Sequence, residues 1–126
     1  MRKRSLLLAM LAALALGSLL WGAPPAKARS SFDGNWSVLI VTDAGSCDRA
    51  YRYALQIANG RITYPDQTIN VTGHVDGNGH VYVRVSAGGQ SASGSGGLYG
   101  NSGAGRWSGR GSTSSCSGHW EADRRG

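Results

Sequence analysis

His74, Asp76 and His80 are the side chains in this sequence that come closest to forming a chemical site. Two imidazoles and a carboxylate at alternate positions of one hairpin would share its outward face, within reach of a single Zn²⁺. The plainer reading is a solvated polar face on which Asp76 supports the turn. No metal is expected, because ligands on an exposed hairpin lack the supporting partners that orient metal-binding imidazoles. His119 reads as one more outward polar residue. Asp43, Asp48 and Asp66 are candidate acids near strand ends. A glycosidase needs two carboxylates at a fixed separation in a cleft, however, and turn formation accounts for all three with fewer assumptions. The sequence has no Gly-x-Ser-x-Gly elbow, no phosphate-binding loop and no Cys-x-x-Cys pair, and Glu121 is the only glutamate. It therefore reads as non-enzymatic, with no cofactor.

Binding is a different matter. Trp36, Tyr51, Tyr53, Trp107 and Trp120 recur at strand spacing and could line a pocket for an apolar or aromatic ligand. Filling a core that has little leucine and phenylalanine is the more economical role for the same five rings.

The elements that would carry these residues follow a period of two. Between Phe32 and Asp43, Trp36, Val38, Ile40 and Thr42 fall on one side and Ser37, Leu39 and Val41 on the other. Gly34 stands two residues before Trp36, and the unit returns at Gly105-Arg106-Trp107 and Gly118-His119-Trp120. Three such units on three strands suggest one shared aromatic core. Tyr51 to Ala58 alternates next, Asn59-Gly60 reads as a type I′ turn, and Arg61 to Tyr64 returns. Ile69 to Asp76 and Val81 to Ser86 then form a hairpin across Gly77-Asn78-Gly79, in a register pairing Val75 with Val81 and Asp76 with His80.

From Gly88 to Ser117 glycine and serine dominate, as in a low-complexity tail. Tryptophan at strand spacing argues instead for three more strands, over Gln90 to Tyr99, Ala104 to Ser112 and Cys116 to Asp123. Eight short strands joined mostly by tight turns, with no helical period, predict an all-β fold. The expected form is a small antiparallel up-and-down β-barrel, with a β-sandwich as the alternative. Arg52, Arg84, Arg106 and Arg110 fall on the polar face, which disfavours an outer-membrane barrel and reads as a solubilising surface.

Residues 1–28 read as a signal peptide: Arg2, Lys3 and Arg4, an apolar run from Leu6 to Trp21, and Ala26-Lys27-Ala28 as the cleavage site. Residues 29–126 would then be one domain, periplasmic or secreted, with no membrane span after cleavage. The formal charge of +6 is largely a property of the leader. Nine dispersed arginines against seven acids remain beyond residue 28, so a nucleic-acid partner is not expected. Cys47 and Cys116 are the only cysteines, and export makes a disulfide the expected state over two free buried thiols. Closing so long a loop is worth about 4 kcal/mol in the chain-entropy model.

Three stretches carry a resemblance: Phe32-Asp33-Gly34-x-Trp36-Ser37-Val38, Gly45-Ser46-Cys47-Asp48-Arg49-x-Tyr51-Arg52-Tyr53, and Cys116-Ser117-Gly118-x-Trp120-x-Ala122-x-Arg124-Arg125. Together they resemble an uncharacterised family of small exported bacterial β-proteins, sometimes labelled as haem-utilisation or adhesion proteins. That resemblance implies no functional residue. Gly34, Trp36 and Arg124 or Arg125 are similar, more loosely, to the Gly-x-Trp and arginine of calycin-type barrels, in which the arginine packs over the indole. Ser95-Gly96-Gly97-Leu98-Tyr99 is similar to the Ser-Gly-x-x-Tyr pattern of periplasmic lysozyme-inhibitor barrels, and implies a loop inserted into a hydrolase cleft by Ser95 and Tyr99. The reading that emerges is a monomeric, exported, non-enzymatic binding protein for a small apolar ligand or a cell-envelope component. Its alternatives are an inhibitor of a lysozyme or protease, and a structural or adhesive surface protein.

Overall fold

The computed structural model describes residues 31–126, so the leader expected over residues 1–28 lies outside the described residues. Eight strands follow one another: β1 (Gly34–Ala44), β2 (Ala50–Ala58), β3 (Arg61–Thr63), β4 (Asn70–Val75), β5 (His80–Ala87), β6 (Gln90–Tyr99), β7 (Ser102–Arg110) and β8 (Ser115–Arg124). Each pairs antiparallel with its chain neighbours, and β8 returns to β1, closing an up-and-down barrel. The barrel is the expected architecture, and the sandwich is excluded. Closure removes every free sheet edge, which matters for a chain whose last third has few large side chains with which to cover one.

Turn chemistry sets the register. Asn59 and Gly60 both take positive φ (53° and 76°), as a type I′ hairpin requires. The next hairpin pairs Val75 with Val81 as expected. Asp76 ties its turn by accepting from the backbone N–H groups of Asn78 and His80, each at 2.9 Å. Cys47 and Cys116 are disulfide-bonded and join the loop after β1 to the start of β8, the two strands that meet on closure.

The inner face is built differently around the barrel. From β1 to β5 it carries branched aliphatic residues such as Val38, Ile57, Val75 and Val81. From β6 to β8 it carries mostly glycine and alanine with two indoles, Leu98 near one end and Cys116 near the other. Trp120 lies on Gly96 and Gly105, where an added methyl would come within 2.6 and 2.5 Å of its ring. Glycine is required there because no side chain can share that space with the indole. Trp107 lies across Gly118 and donates from Nε1 to the Val41 carbonyl at 2.9 Å. The β1–β8 register shifts between Thr42 and Ala44, just beyond that carbonyl.

One end of the barrel is sealed. Phe32, expected at the start of the first strand, instead precedes β1 and is buried with Trp36, Leu98 and Trp120. Trp36 donates from Nε1 to the Phe32 carbonyl at 2.8 Å. Arg124, rather than Arg125, stands over the Trp36 ring at 5.0 Å from its centroid. Its guanidinium donates to the carbonyls of Asp33, Ser31 and Gly100 at 2.8 to 3.0 Å. Charged donors to three backbone carbonyls, together with a cation over an indole, fix the chain ends across the base.

Candidate functional site

Above that sealed base the barrel is hollow. The cavity measures about 700 Å³ and opens at the opposite end, among the β1–β2, β3–β4, β5–β6 and β7–β8 connections. Its wall is aliphatic over β1 to β5, with Val38, Leu55, Ile57, Val71, Val83 and Val85 facing the lumen. This follows from alternation, which sends every second residue of a strand inward, and from sequence runs that place β-branched residues at those positions. The volume lies within the range of small-molecule pockets, and the walls have the apolar character such pockets share.

The five rings singled out in the sequence all border this space, in two different roles. Trp36 and Trp120 belong to the packed base and are almost wholly buried. Trp107 is half-buried in the wall, held by its bond to Val41. Tyr51 and Tyr53 stand at the mouth, where Tyr64 joins them. The Tyr51 and Tyr53 rings are 5.0 Å apart and tilted, and Tyr53 meets Tyr64 edge to face at 5.8 Å. Tyr51 is 54 % exposed, so the cluster lines an opening rather than filling a core. Burial pushes the Tyr53 phenol above its ordinary pKa, and the neighbouring Tyr51, Tyr64 and Asp48 add to the effect. The phenol thus remains a neutral donor over the whole physiological range.

The mouth position of Tyr64 is not legible in the sequence. Tyr64 follows β3, which pairs with β4 at only two positions, and no alternation extends far enough there to assign its side. Arg110, the last residue of β7, is paired with Ser91 and Ser115 and exposed, on the outward side that the strand period gives it.

Other candidates are not brought together. Asp76 and His80 meet, with Nδ1 3.1 Å from Oδ2, while His74 lies against Tyr82 with 6.3 Å between ring centroids. Among the described residues, no three His, Cys, Asp or Glu side chains are grouped to hold a metal ion. Asp66 caps its own turn by accepting from the backbone and the hydroxyl of Thr68. Asp43 reaches His119 Nδ1 at 2.8 Å on the outer face. Ser95 and Tyr99 are not on a loop: both belong to β6 and face outward, with Ser95 paired between Tyr82 and Arg106. Continuous pairing on both sides holds Ser95 within the wall, so only Tyr99, 77 % exposed beside the β6–β7 turn, projects from it.

Fold and site together define a small closed antiparallel barrel, disulfide-linked, with an apolar interior open at one end. Comparison with protein-family models, with curated proteins and with solved structures gave no match.

Proposed function

We propose that this chain is an exported, non-enzymatic binding protein that carries a small apolar molecule inside the barrel. The observation behind this reading is the cavity of about 700 Å³, walled by aliphatic side chains and open only away from the sealed base. A domain that needed only a stable core would gain by filling that volume, since each apolar group left without packing partners forfeits stabilisation. Here the base is packed and the upper lumen is not. The disulfide suits an oxidising compartment, and the apolar leader with its small-x-small site directs the chain to the periplasm or beyond.

Phenylnaphthylamine, a neutral apolar fluorophore, tests the reading directly. Its emission should rise on addition of the protein, and a fatty acid should compete with it. Ala92→Phe, which adds a ring to the lumen wall, should weaken binding while leaving the melting temperature near that of the parent. Failure of the fluorophore to bind, or equal binding by the filled variant, would rule the interior out.

The inhibitor reading retains one observation in its favour, the exposure of Tyr99 at the sealed end. It requires that stoichiometric protein suppress a lysozyme or a protease and that Tyr99→Ala abolish the effect. A purely structural or adhesive protein would show neither behaviour.

A further inference from the structure

One side of the cavity mouth gathers three phenols and a carboxylate. Tyr51 and Tyr53 alternate with Leu55 and Ile57 along β2, so all four share the face that lines the lumen. Tyr64, just beyond β3, completes a row of rings whose centroids stand 5.0 and 5.8 Å apart. Asp48 overhangs this row from the β1–β2 loop, and its carboxylate is near enough to Tyr53 to help raise the phenol's pKa.

The loop that carries Asp48 is held at three points. Thr42, on the lumen-lining side of β1, donates from Oγ1 to the Asp48 carbonyl at 2.6 Å and from its backbone N–H to the Arg49 carbonyl at 2.9 Å. The preceding residue, Cys47, is bonded to Cys116. Asp48 is therefore positioned by the fold, yet its carboxylate serves no structural contact. Among the described residues the ion pairs are His80–Asp76 and His119–Asp43, and neither the Asp48 carboxylate nor the phenols of Tyr51, Tyr53 and Tyr64 has a hydrogen-bond partner.

Ring faces and a carboxylate attract the same kind of group, a cation, and most of all a bulky and weakly hydrated ammonium. The aliphatic lumen below admits hydrocarbon and excludes charge. We propose that the barrel takes a single-chain amphiphile with an ammonium head, its tail in the lumen and its head held by Asp48 and the rings of Tyr51, Tyr53 and Tyr64. This rests on the cavity reading and gives it a chemical class and an orientation. A fatty acid would place its own carboxylate beside Asp48, and a neutral alcohol would leave Asp48 without a counter-charge.

Three probes with the same twelve-carbon tail separate these cases: dodecyltrimethylammonium, dodecanol and dodecanoate, each titrated below its micellar concentration against bound phenylnaphthylamine. Dodecyltrimethylammonium should bind about tenfold more tightly than dodecanol, the combined scale of a partly solvated charge pair and a cation on aromatic faces, and dodecanoate should bind most weakly. Asp48→Asn should weaken the ammonium probe about fivefold, spare dodecanol and tighten dodecanoate. Tyr51→Leu, which keeps an apolar side chain but no ring, should also weaken the ammonium probe selectively, whereas Tyr51→Phe should preserve its affinity. Equal affinity for the ammonium and the alcohol, tighter binding of dodecanoate, or an unchanged preference in both Asp48→Asn and Tyr51→Leu would overturn the proposal and leave the apolar cavity standing. Displacement by none of the three would remove the cavity reading and this inference together.

Discussion

The two halves of the barrel wall build an inner face by opposite means. Between β1 and β5 the chain uses branched aliphatic side chains, which occupy volume themselves and fit a pleated surface. Between β6 and β8 it removes side chains, and two indoles anchored elsewhere on the wall lie flat on the bare backbone. Glycine in a strand costs conformational entropy, so this second solution is tenable only while the indoles remain in place. The difference shows that a glycine- and serine-rich stretch can be as fully determined as an aliphatic one when its missing side chains are replaced by large rings from neighbouring strands. The lumen stays open because neither solution extends to the mouth: the aliphatic half ends in tyrosines, and the glycine half ends at the disulfide.

Breaking the covalent link between the halves should have the largest effect. Cys47→Ser with Cys116→Ser removes the tether between the β1–β2 loop and β8, and should lower stability by about 4 kcal/mol in denaturant titrations. Gly105→Val comes next. The valine would meet the Trp120 ring and the Ser95 carbonyl, and a loss of about 3 kcal/mol is expected, with a red-shifted tryptophan emission as Trp120 leaves its bed. If Gly105→Val proved neutral, glycine in this half would be mere composition and the contrast between the walls would fail. Val83→Ala on the aliphatic half already faces open space and should cost only about 1 kcal/mol, well below a fully packed site.

The smallest effect is a matter of pH. The Asp76 carboxyl is held below its ordinary pKa, chiefly by the backbone N–H of His80, so its contribution is present above the usual carboxylate range and is lost as the pH falls through the depressed value. Asp76→Asn should flatten the acid limb of the stability profile and leave stability near neutrality almost unchanged. An unaltered acid limb would show that the hairpin in the aliphatic half does not depend on that contact.

The aliphatic half is the more legible of the two. Its period-two runs of β-branched residues and its three-residue turn are enough to set Val75 opposite Val81, because side-chain parity and turn length leave one register that buries valine. In the glycine half only tryptophan spacing carries a signal, and it suggests β7 over Ala104 to Ser112 where the strand spans Ser102–Arg110. Glycine has no side chain whose alternation marks a strand end. The candidate site is readable in part: Tyr51 and Tyr53 declare their side by alternation, while Tyr64 lies beyond a strand too short to show one. The loop placement implied for Ser95 and Tyr99 is not met for a related reason, since a Ser-Gly run fits such a pattern equally well when it is paired on both sides within a sheet.

Local pattern settles the strand count, the cysteine pairing and, for most strands, which face turns inward, because these depend on period, turn residues and the single way two thiols can join. Whether the interior is solid or hollow belongs instead to the closed barrel as a whole. The amount of empty space depends on how far each ring reaches across the cylinder, and the same tyrosines would fill the lumen if they pointed downward. They stand at the mouth, while Trp36, Trp120, Phe32 and Arg124 close the base and leave the upper lumen open.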